Sequence, residues 1–520
     1  MTQSCDALVV GGGATGAGLA RDLAMRGARC LLVEQGDLCH GTSGRFHGLL
    51  HSGARYAVRD PQSARECIHE NRIVRRIAAH CVEDTGGLFC WLRGDPEDYP
   101  PALLDGCRAA DVDVEEVSPD EVWASEPLLS RQLARAFRVP DASVQSFDLV
   151  AANAHDAEAH GAEVRRRTRL AGVVVEGGRV TGVDLEDVRT GERERVEVGV
   201  LCSAAGIWAG TVAAMAGVSL ELSPGWGIMV ITNQRLCRAV VNRCRPPSDA
   251  DIIVPVGTVT IAGTTDRTMD MLEGYEITRQ EVRDVLETSA ELVPPLVDER
   301  ILRVFAGARP LYDPSHDPSA GRMLSRSHTV LDHAAAGVEG FVSIVGGKLT
   351  TYRLMAEQTA DAACAKLGVT APCRTADEPL PASTDERTWW LGGRLEGNEE
   401  LRDGSDADLV CECELVTRPA LEAFVSGLPG CRLDDMLRGL RLGMGPCQGC
   451  FCALRAAAVR ERLQPLGAGA LEPLEAFLEE RLKGNRPILW GDGARQHRLT
   501  EIVYREVFAL DATDGPAPSV

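Results

Sequence analysis

The chain opens with an apolar run, Ala7-Leu8-Val9-Val10, followed at once by Gly11-Gly12-Gly13-Ala14-Thr15-Gly16 and an Ala- and Leu-rich stretch to Arg26. A second apolar run, Leu31-Leu32-Val33, ends in Glu34. The pattern predicts strand, glycine turn, helix, strand. From Ser63 to Cys81, the positions Ala64, Cys67, Ile68, Val74, Ile77, Ala78 and Cys81 recur at helical spacing. That makes Cys67 and Cys81 core thiols and sets His69, Arg72, Arg75 and Arg76 on a solvated face. Residues 165–200 alternate, with Gly177-Gly178 and Thr190-Gly191 as turns, and predict a β-meander. Val198 to Leu220 carries no charge and is long enough to span a bilayer, but it holds Gly199, Gly206, Gly210 and Gly217. It reads better as strand, turn and buried helix. Gly346-Gly347-Lys348 opens an apolar helix through Leu354 to Leu367. Residues 370–408 are rich in Pro, Asp, Glu and Gly and predict a connector, packed in places around Trp389-Trp390. Leu471 to Leu510 is helical in pattern, broken at Trp490-Gly491-Asp492-Gly493.

The first thirty-four residues are a dinucleotide fingerprint in full context: strand, Gly11-x-Gly13-x-x-Gly16, helix, strand, acid. Gly11 permits the tight turn, Gly13 lets a pyrophosphate approach the backbone, and Gly16 lets the helix pack on the strand. The helix start at Ala14 and Thr15 offers free N–H groups to phosphate. Glu34 accepts hydrogen bonds from ribose hydroxyls and repels a 2′-phosphate. The fingerprint alone does not separate FAD from NAD. The next segment does: Gly41 to Tyr56, with Thr42 and Ser43, then glycines alternating with His and Arg, suits an extended FAD passing over a small polar turn. Ala205 and Gly206, at a strand end, are expected to line the FAD, an ordinary strand-to-helix turn being the alternative. The Gly346-Gly347 pair and the residues Lys348, Leu349 and Thr350 would place N–H dipoles and one full charge beside the flavin, favouring its reduced anionic form.

Length and charge narrow the classes. At 520 residues the chain holds several domains. Its 76 acidic and 55 basic residues give −21, which argues against nonspecific nucleic-acid binding and a polybasic membrane patch. The start, MTQSCDALVV, shows no secretory signal, so a cytoplasmic location is expected and the 18 Cys read as thiols rather than disulfides.

Taken together, these segments resemble the FAD-dependent glycerol-3-phosphate dehydrogenases, and within them the large-subunit (A) type of the anaerobic bacterial enzyme. The resemblance runs through Gly41–Tyr56, Ser63–Ile68, Val241–Arg245, Pro247–Ile252, Gly263–Asp266, Gly346–Arg353 and the Cys-rich C-terminal region. It implies an α/β fold: a Rossmann-like FAD-binding domain of the D-amino-acid oxidase type, an inserted mixed-sheet substrate domain, and a small helical [2Fe–2S] domain. The expected boundaries are 1–368 for the flavin part (FAD-binding about 1–80, 145–215 and 335–368; substrate-binding about 81–144 and 216–334), 369–408 for the connector, 409–462 for the cluster domain and 463–520 for a tail. It further implies oxidation of sn-glycerol 3-phosphate to dihydroxyacetone phosphate, and electron transfer through partner subunits B and C to quinone at the inner face of the membrane. The alternatives are a hydroxy-acid or amino-acid dehydrogenase on the same fold, or an electron-transfer or redox-sensing module. The phosphate would meet Arg55, Arg309 and Arg326, with hydroxyls from Tyr56 and Thr265, and Lys348 and Arg309 would also serve catalysis. His51 is the first choice of base, a structural or FAD-contacting role being the alternative; His47 is the second choice. One position departs from the family pattern: Trp226 stands where Lys precedes Gly in the segment matching Ser223–Gly227. It is either a stacking wall or core.

Near the C-terminus, Cys411-Glu412-Cys413 and Cys447-Gln448-Gly449-Cys450-Phe451-Cys452 form two tight thiol clusters. Two such clusters supply four thiolates to a metal site, and zinc more usually takes Cys-x₂-Cys in both halves. The pattern resembles the bacterioferritin-associated ferredoxin-like domain, which implies a [2Fe–2S] cluster on Cys411, Cys413, Cys447 and either Cys450 or Cys452. The family's Cys-x₄-Cys spacing favours Cys452. Cys431 is expected in the core.

Overall fold

The structure is a computed structural model and describes residues 3–312, 327–381, 408–466, 469 and 471–507. Arg326 and Trp389-Trp390 lie outside the described residues. Two sheets organise residues 3–381. The first is built on Gln3–Val10, flanked in parallel by Arg193–Ser203 and Cys30–Glu34. Glu163–Arg166 extends it beyond Cys30–Glu34, and the meander Thr168–Glu176, Arg179–Asp187, Arg193–Ser203 runs off the other side. Phe341–Gly346 pairs in parallel with Arg193–Ser203.

Alternation along the strands sorts side chains to two faces. Ala7, Val9, Cys30 and Leu32 pack on helices Ala14–Met25, Ser146–Ala159 and Tyr352–Leu367. Leu8, Val10, Leu31 and Val33 face the opposite way, onto Leu170, Val183 and Val212. The uncharged run from Val198 becomes the end of a strand, a short turn and the helix Ala209–Met215. Among the described residues no helix is long and apolar enough to cross a membrane. Helix Pro61–Ile77 buries Cys67, and Cys81 follows it into the core; His69, Arg72 and Arg76 are exposed.

The second sheet runs Ser223–Thr232, Val259–Gly263, Ile252–Val256, Val240–Arg243, Gly87–Leu92, Leu133–Val139 and Glu115–Val117. Its pairings are antiparallel except Val240–Arg243 on Gly87–Leu92. On the far side of Ser223–Thr232 lies the long strand Ile301–Leu311.

The C-terminal unit packs helices Arg418–Gly427, Leu433–Leu440 and Cys452–Leu463 around a small hairpin. Helix Glu472–Asn485 and Tyr504 belong to the same core through Phe477 and Leu478, so the tail completes this unit. Cys431 is fully buried there. The unit docks on the first sheet through charge: Arg438 donates to Asp37 (2.7 Å), which also accepts from Arg166 (3.2 Å), and Arg167 pairs with Asp435. Arg441 reaches Gln145 at 2.8 Å.

One buried pair ties helix Pro61–Ile77 to helix Tyr352–Leu367. Arg353 donates to both oxygens of Glu70, at 2.7 and 2.9 Å, and Glu70 is wholly buried. Arg353→Met strands that carboxylate, and the expected loss is about 3–5 kcal/mol of stability, read by chemical denaturation. A loss below about 1 kcal/mol, the worth of an exposed pair, would show that the pair does not hold the helices together.

Candidate active site and cysteine cluster

The glycine turn is held by close backbone contacts. At Gly16 an added Cβ would stand 1.8 Å from the Gly11 carbonyl oxygen, and Gly11 itself has φ +107°. Nothing but glycine fits either position. At Gly13 an added Cβ would stand 3.1 Å from the Ser43 hydroxyl, a tight contact, and Gly13 itself lines the cavity. The Glu34 carboxylate accepts from Gly12 N–H (2.7 Å) and Gly36 N–H (2.8 Å). Burial pushes its pKa up, and these two N–H groups work against the rise. Ser43 Oγ accepts the Ala14 N–H at 3.0 Å, and Thr42 Oγ1 donates to the Ala308 carbonyl at 2.7 Å. The second contact joins the small polar turn to the second sheet.

A cavity of about 960 Å³ starts at this turn. Gly11, Gly13, Ala14, Thr15, Glu34, Thr42, Ser43, Ala205 and Gly206 line part of it. His51, Arg55, Tyr56, Thr265, Arg309, Gly347, Lys348 and Leu349 line the rest, so residues far apart in sequence share one space. Gly16 lies under the turn. Thr350 lies behind the wall, wholly buried, and its Oγ1 accepts the His51 N–H at 3.0 Å.

Each cation at the far end is held by the protein. Arg309 donates to Gly225 O (3.2 Å), Asp266 Oδ1 (3.2 Å), Thr264 Oγ1 (3.1 Å) and Thr265 O (3.2 Å). It lies across Gly227, where an added Cβ would stand 2.9 Å from its Nη2. Arg55 is 3.5 Å from Asp251, and Lys348 Nζ sits 4.9 Å from the Tyr56 ring centroid. The His51 ring lies 5.4 Å from that of Tyr56 and 5.9 Å from that of His47, edge-on to the latter. His47 Nδ1 accepts the Leu49 N–H at 3.2 Å, which assigns the proton of the neutral ring to Nε2. Burial, then the Arg309 and Arg55 charges, pull its pKa down to about 3. Thr265 turns its hydroxyl inward to accept the Ile228 N–H at 3.1 Å.

One expectation changes, and one open alternative is decided. The Gly346-Gly347 pair does not open the helix: both residues have left-handed φ, +78° and +80°, and a single tight turn, Leu349–Thr351, precedes the helix that begins at Tyr352. Trp226 is core and not a wall of the cavity: it is 4% exposed, stacks on Tyr275 with centroids 5.3 Å apart, and donates to the Met271 carbonyl. The lining also includes residues that sequence reasoning assigned no role, among them His40, Trp208, Ser248 and Asp266. Ser248 and Asp266 stand inside segments that carried the resemblance, and that was the available signal. His40 and Trp208 had none.

In the C-terminal unit the thiols stand in a chain of hydrogen-bonded pairs: Cys411 with Cys452, Cys452 with Cys447, Cys447 with Cys413. Backbone N–H groups of Glu414 and Gly443 point at Cys411, and those of Gly449 and Cys450 at Cys447. The thiol bond from Cys452 lowers Cys411 to about 7, and bonds from Cys413 and Cys452 pull Cys447 down strongly. Cys450 is turned instead toward Thr500, 4.0 Å away. Among the described residues no three His, Cys, Asp or Glu side chains form a ready cage for a metal ion. The donor chemistry nonetheless suits a thiolate-bound group: four sulfurs drawn together, with N–H donors aimed at three of them.

Comparison with known proteins agrees with this architecture. Residues 6–353 match the model of the FAD dependent oxidoreductase family. The chain is 43% identical to the A subunit of the anaerobic glycerol-3-phosphate dehydrogenase of Escherichia coli (strain K12), over 98% of each chain. It is 43% identical to the A1 subunit of the corresponding enzyme of Haloferax volcanii, over 99% of this chain and 93% of that one. Among solved structures, the FAD complex of the glycerol-3-phosphate dehydrogenase from Bacillus halodurans superposes with a TM-score of 0.67 at 21% identity, over 94% of this chain and 96% of that one. At that identity the likeness concerns the fold. The chain therefore belongs to the FAD-dependent oxidoreductase family and, within it, to the family of anaerobic glycerol-3-phosphate dehydrogenase A subunits.

Proposed function

We propose that this chain oxidises sn-glycerol 3-phosphate to dihydroxyacetone phosphate with FAD as acceptor, and passes the electrons through a [2Fe–2S] cluster on Cys411, Cys413, Cys447 and Cys452. The observation that carries the reading is the single cavity joining the dinucleotide turn to a cationic end, in a chain with a net charge of −21. Bound FAD supplies the two-electron acceptor that takes the hydride from the carbinol carbon. The glycine turn and the start of helix Ala14–Met25 hold its pyrophosphate. Arg55, Arg309 and Lys348 bind the substrate phosphate, and the hydrogen bonds that fix Arg309 orient its guanidinium before substrate arrives. His51 accepts the hydroxyl proton on a ring nitrogen as the hydride leaves. His47 stays neutral and offers its Nε2–H as a donor. The four cysteines would hold the cluster, which would supply a one-electron carrier beside the two-electron flavin. The relatives are named as one subunit of a larger enzyme, which supports onward transfer to partner subunits, B and C, and then to quinone at the inner face of the membrane. The cysteine unit docks at Asp37, three residues beyond Glu34.

The reading predicts that Arg309→Ala lowers kcat/KM for sn-glycerol 3-phosphate ~10- to 150-fold, the worth of one charged hydrogen bond of about 1.5–3 kcal/mol. Glycerol, which lacks the phosphate, should show no such loss in steady-state assays; equal losses would remove the phosphate pocket. His51→Asn should lower kcat about 10²- to 10⁴-fold and abolish the acidic limb of the pH–rate profile. His47→Gln should keep that limb, because His47, with a pKa near 3, stays unprotonated through the neutral range. An acidic limb that survives in His51→Asn rules out His51 as the base. For the cluster, Cys452→Ser should lose iron and sulfide and Cys450→Ser should keep both. The reverse result would exchange the fourth ligand.

A further inference from the structure

Helix Glu472–Asn485 lies outside the span of the two cysteine clusters, yet it sends one arginine directly behind them. Arg481 is 5% exposed. Its Nη1 donates to Gln448 Oε1 at 2.9 Å and its Nη2 to the Gly443 carbonyl at 2.8 Å. Gln448 follows Cys447, and the N–H of Gly443 points at Cys411. One guanidinium thus grips both walls of the loop that shapes the thiol group. It also lies 4.8 Å from the centroid of Phe477, whose ring fills the space beside Gly449.

No carboxylate among the described residues stands within ion-pair distance of Arg481. Its neighbour is a second, half-buried cation, Arg303 on strand Ile301–Leu311, whose buried Nε has no hydrogen-bond partner. The tail helix passes directly over Arg303: at Gly484 an added Cβ would stand 3.4 Å from that Nε. A buried cation beside a half-buried one, with no carboxylate in ion-pair distance of Arg481, is costly unless an anion lies close. Burial, then the Arg303 charge, lower Arg481 to about 9.

We propose that Arg481, backed by Arg303, is a positioning residue and built-in counter-charge for the four-cysteine site, and favours the cluster's reduced state. The inference rests on the cluster reading given under Proposed function. Two ferric ions, two sulfides and four thiolates sum to a dianion. One electron, delivered from the flavin that the substrate has reduced, makes it a trianion with no proton taken up. A fixed buried positive charge beside the thiolates stabilises the trianion more than the dianion. The Gln448 and Gly443 hydrogen bonds keep that charge in place.

The test is a redox titration of the full-length protein carrying FAD and cluster, followed by electron paramagnetic resonance of the reduced cluster, with iron and sulfide assayed on each sample. Arg481→Met is expected to lower the one-electron reduction equilibrium constant about tenfold, about 59 mV toward negative potential. Arg481→Lys, which keeps the charge and loses the two-pronged grip, should recover most of that shift. Arg303→Met leaves the loop grip intact and should shift the potential in the same direction; it decides the matter if Arg481→Met fails to hold a cluster. Unchanged potentials in cluster-loaded variants would overturn the counter-charge role and leave the cluster reading standing. Wild-type protein without iron and sulfide would overturn the cluster reading itself, and this inference with it.

Discussion

Everything in this molecule converges on one close backbone contact. At Gly307, midway along strand Ile301–Leu311, an added Cβ would stand 1.9 Å from the Arg45 carbonyl oxygen. Only glycine lets the second sheet come this near the small polar turn beside the first sheet. The neighbouring Ala308 carbonyl accepts the Thr42 hydroxyl, and two residues from Gly307 stands Arg309, in the cavity wall. Arg303, at the other end of the strand, lies under the tail helix that holds the cysteine loop. A single extended segment thus sets the spacing of dinucleotide turn, cavity arginine and thiol group.

The second constraint is electrostatic. A chain this acidic must gather positive charge wherever anions are to be held. It does so with arginines whose positions are fixed by carbonyls, hydroxyls and a few buried carboxylates: Arg309 by Gly225, Thr264, Thr265 and Asp266, Arg55 by Asp251. The same means dock the units on one another, through Asp37 between Arg166 and Arg438. A guanidinium suits this work because it keeps its charge when buried and offers several donors in a fixed plane.

Much of this was legible in the sequence, because it rests on local patterns. The glycine turn, the meander, the core thiols Cys67, Cys81 and Cys431, and the reading of Val198–Leu220 as strand and short helix depend on residues near one another in the chain. Contacts made at long range were not legible. That the Thr350 hydroxyl accepts the His51 N–H could not be read from either segment. The spacing of Trp226 could not show that Tyr275 would stack on it. Gly346 and Gly347 read as a helix start, but two consecutive left-handed residues cannot be helical, and the turn they force delays the helix to Tyr352. The Arg353–Glu70 pair and the grip of Arg481 join elements hundreds or tens of residues apart, and no window along the sequence contains both partners.

The central claim is that one cavity brings a phosphorylated alcohol to a flavin whose electrons leave through the cysteine group. The most direct measurement is the anaerobic absorbance spectrum of the purified full chain before and after addition of sn-glycerol 3-phosphate. The account predicts that the flavin bands bleach and that the absorbance of an iron–sulfur cluster then falls, with no oxygen or added acceptor present. A flavin that stays oxidised in the presence of saturating substrate would contradict it.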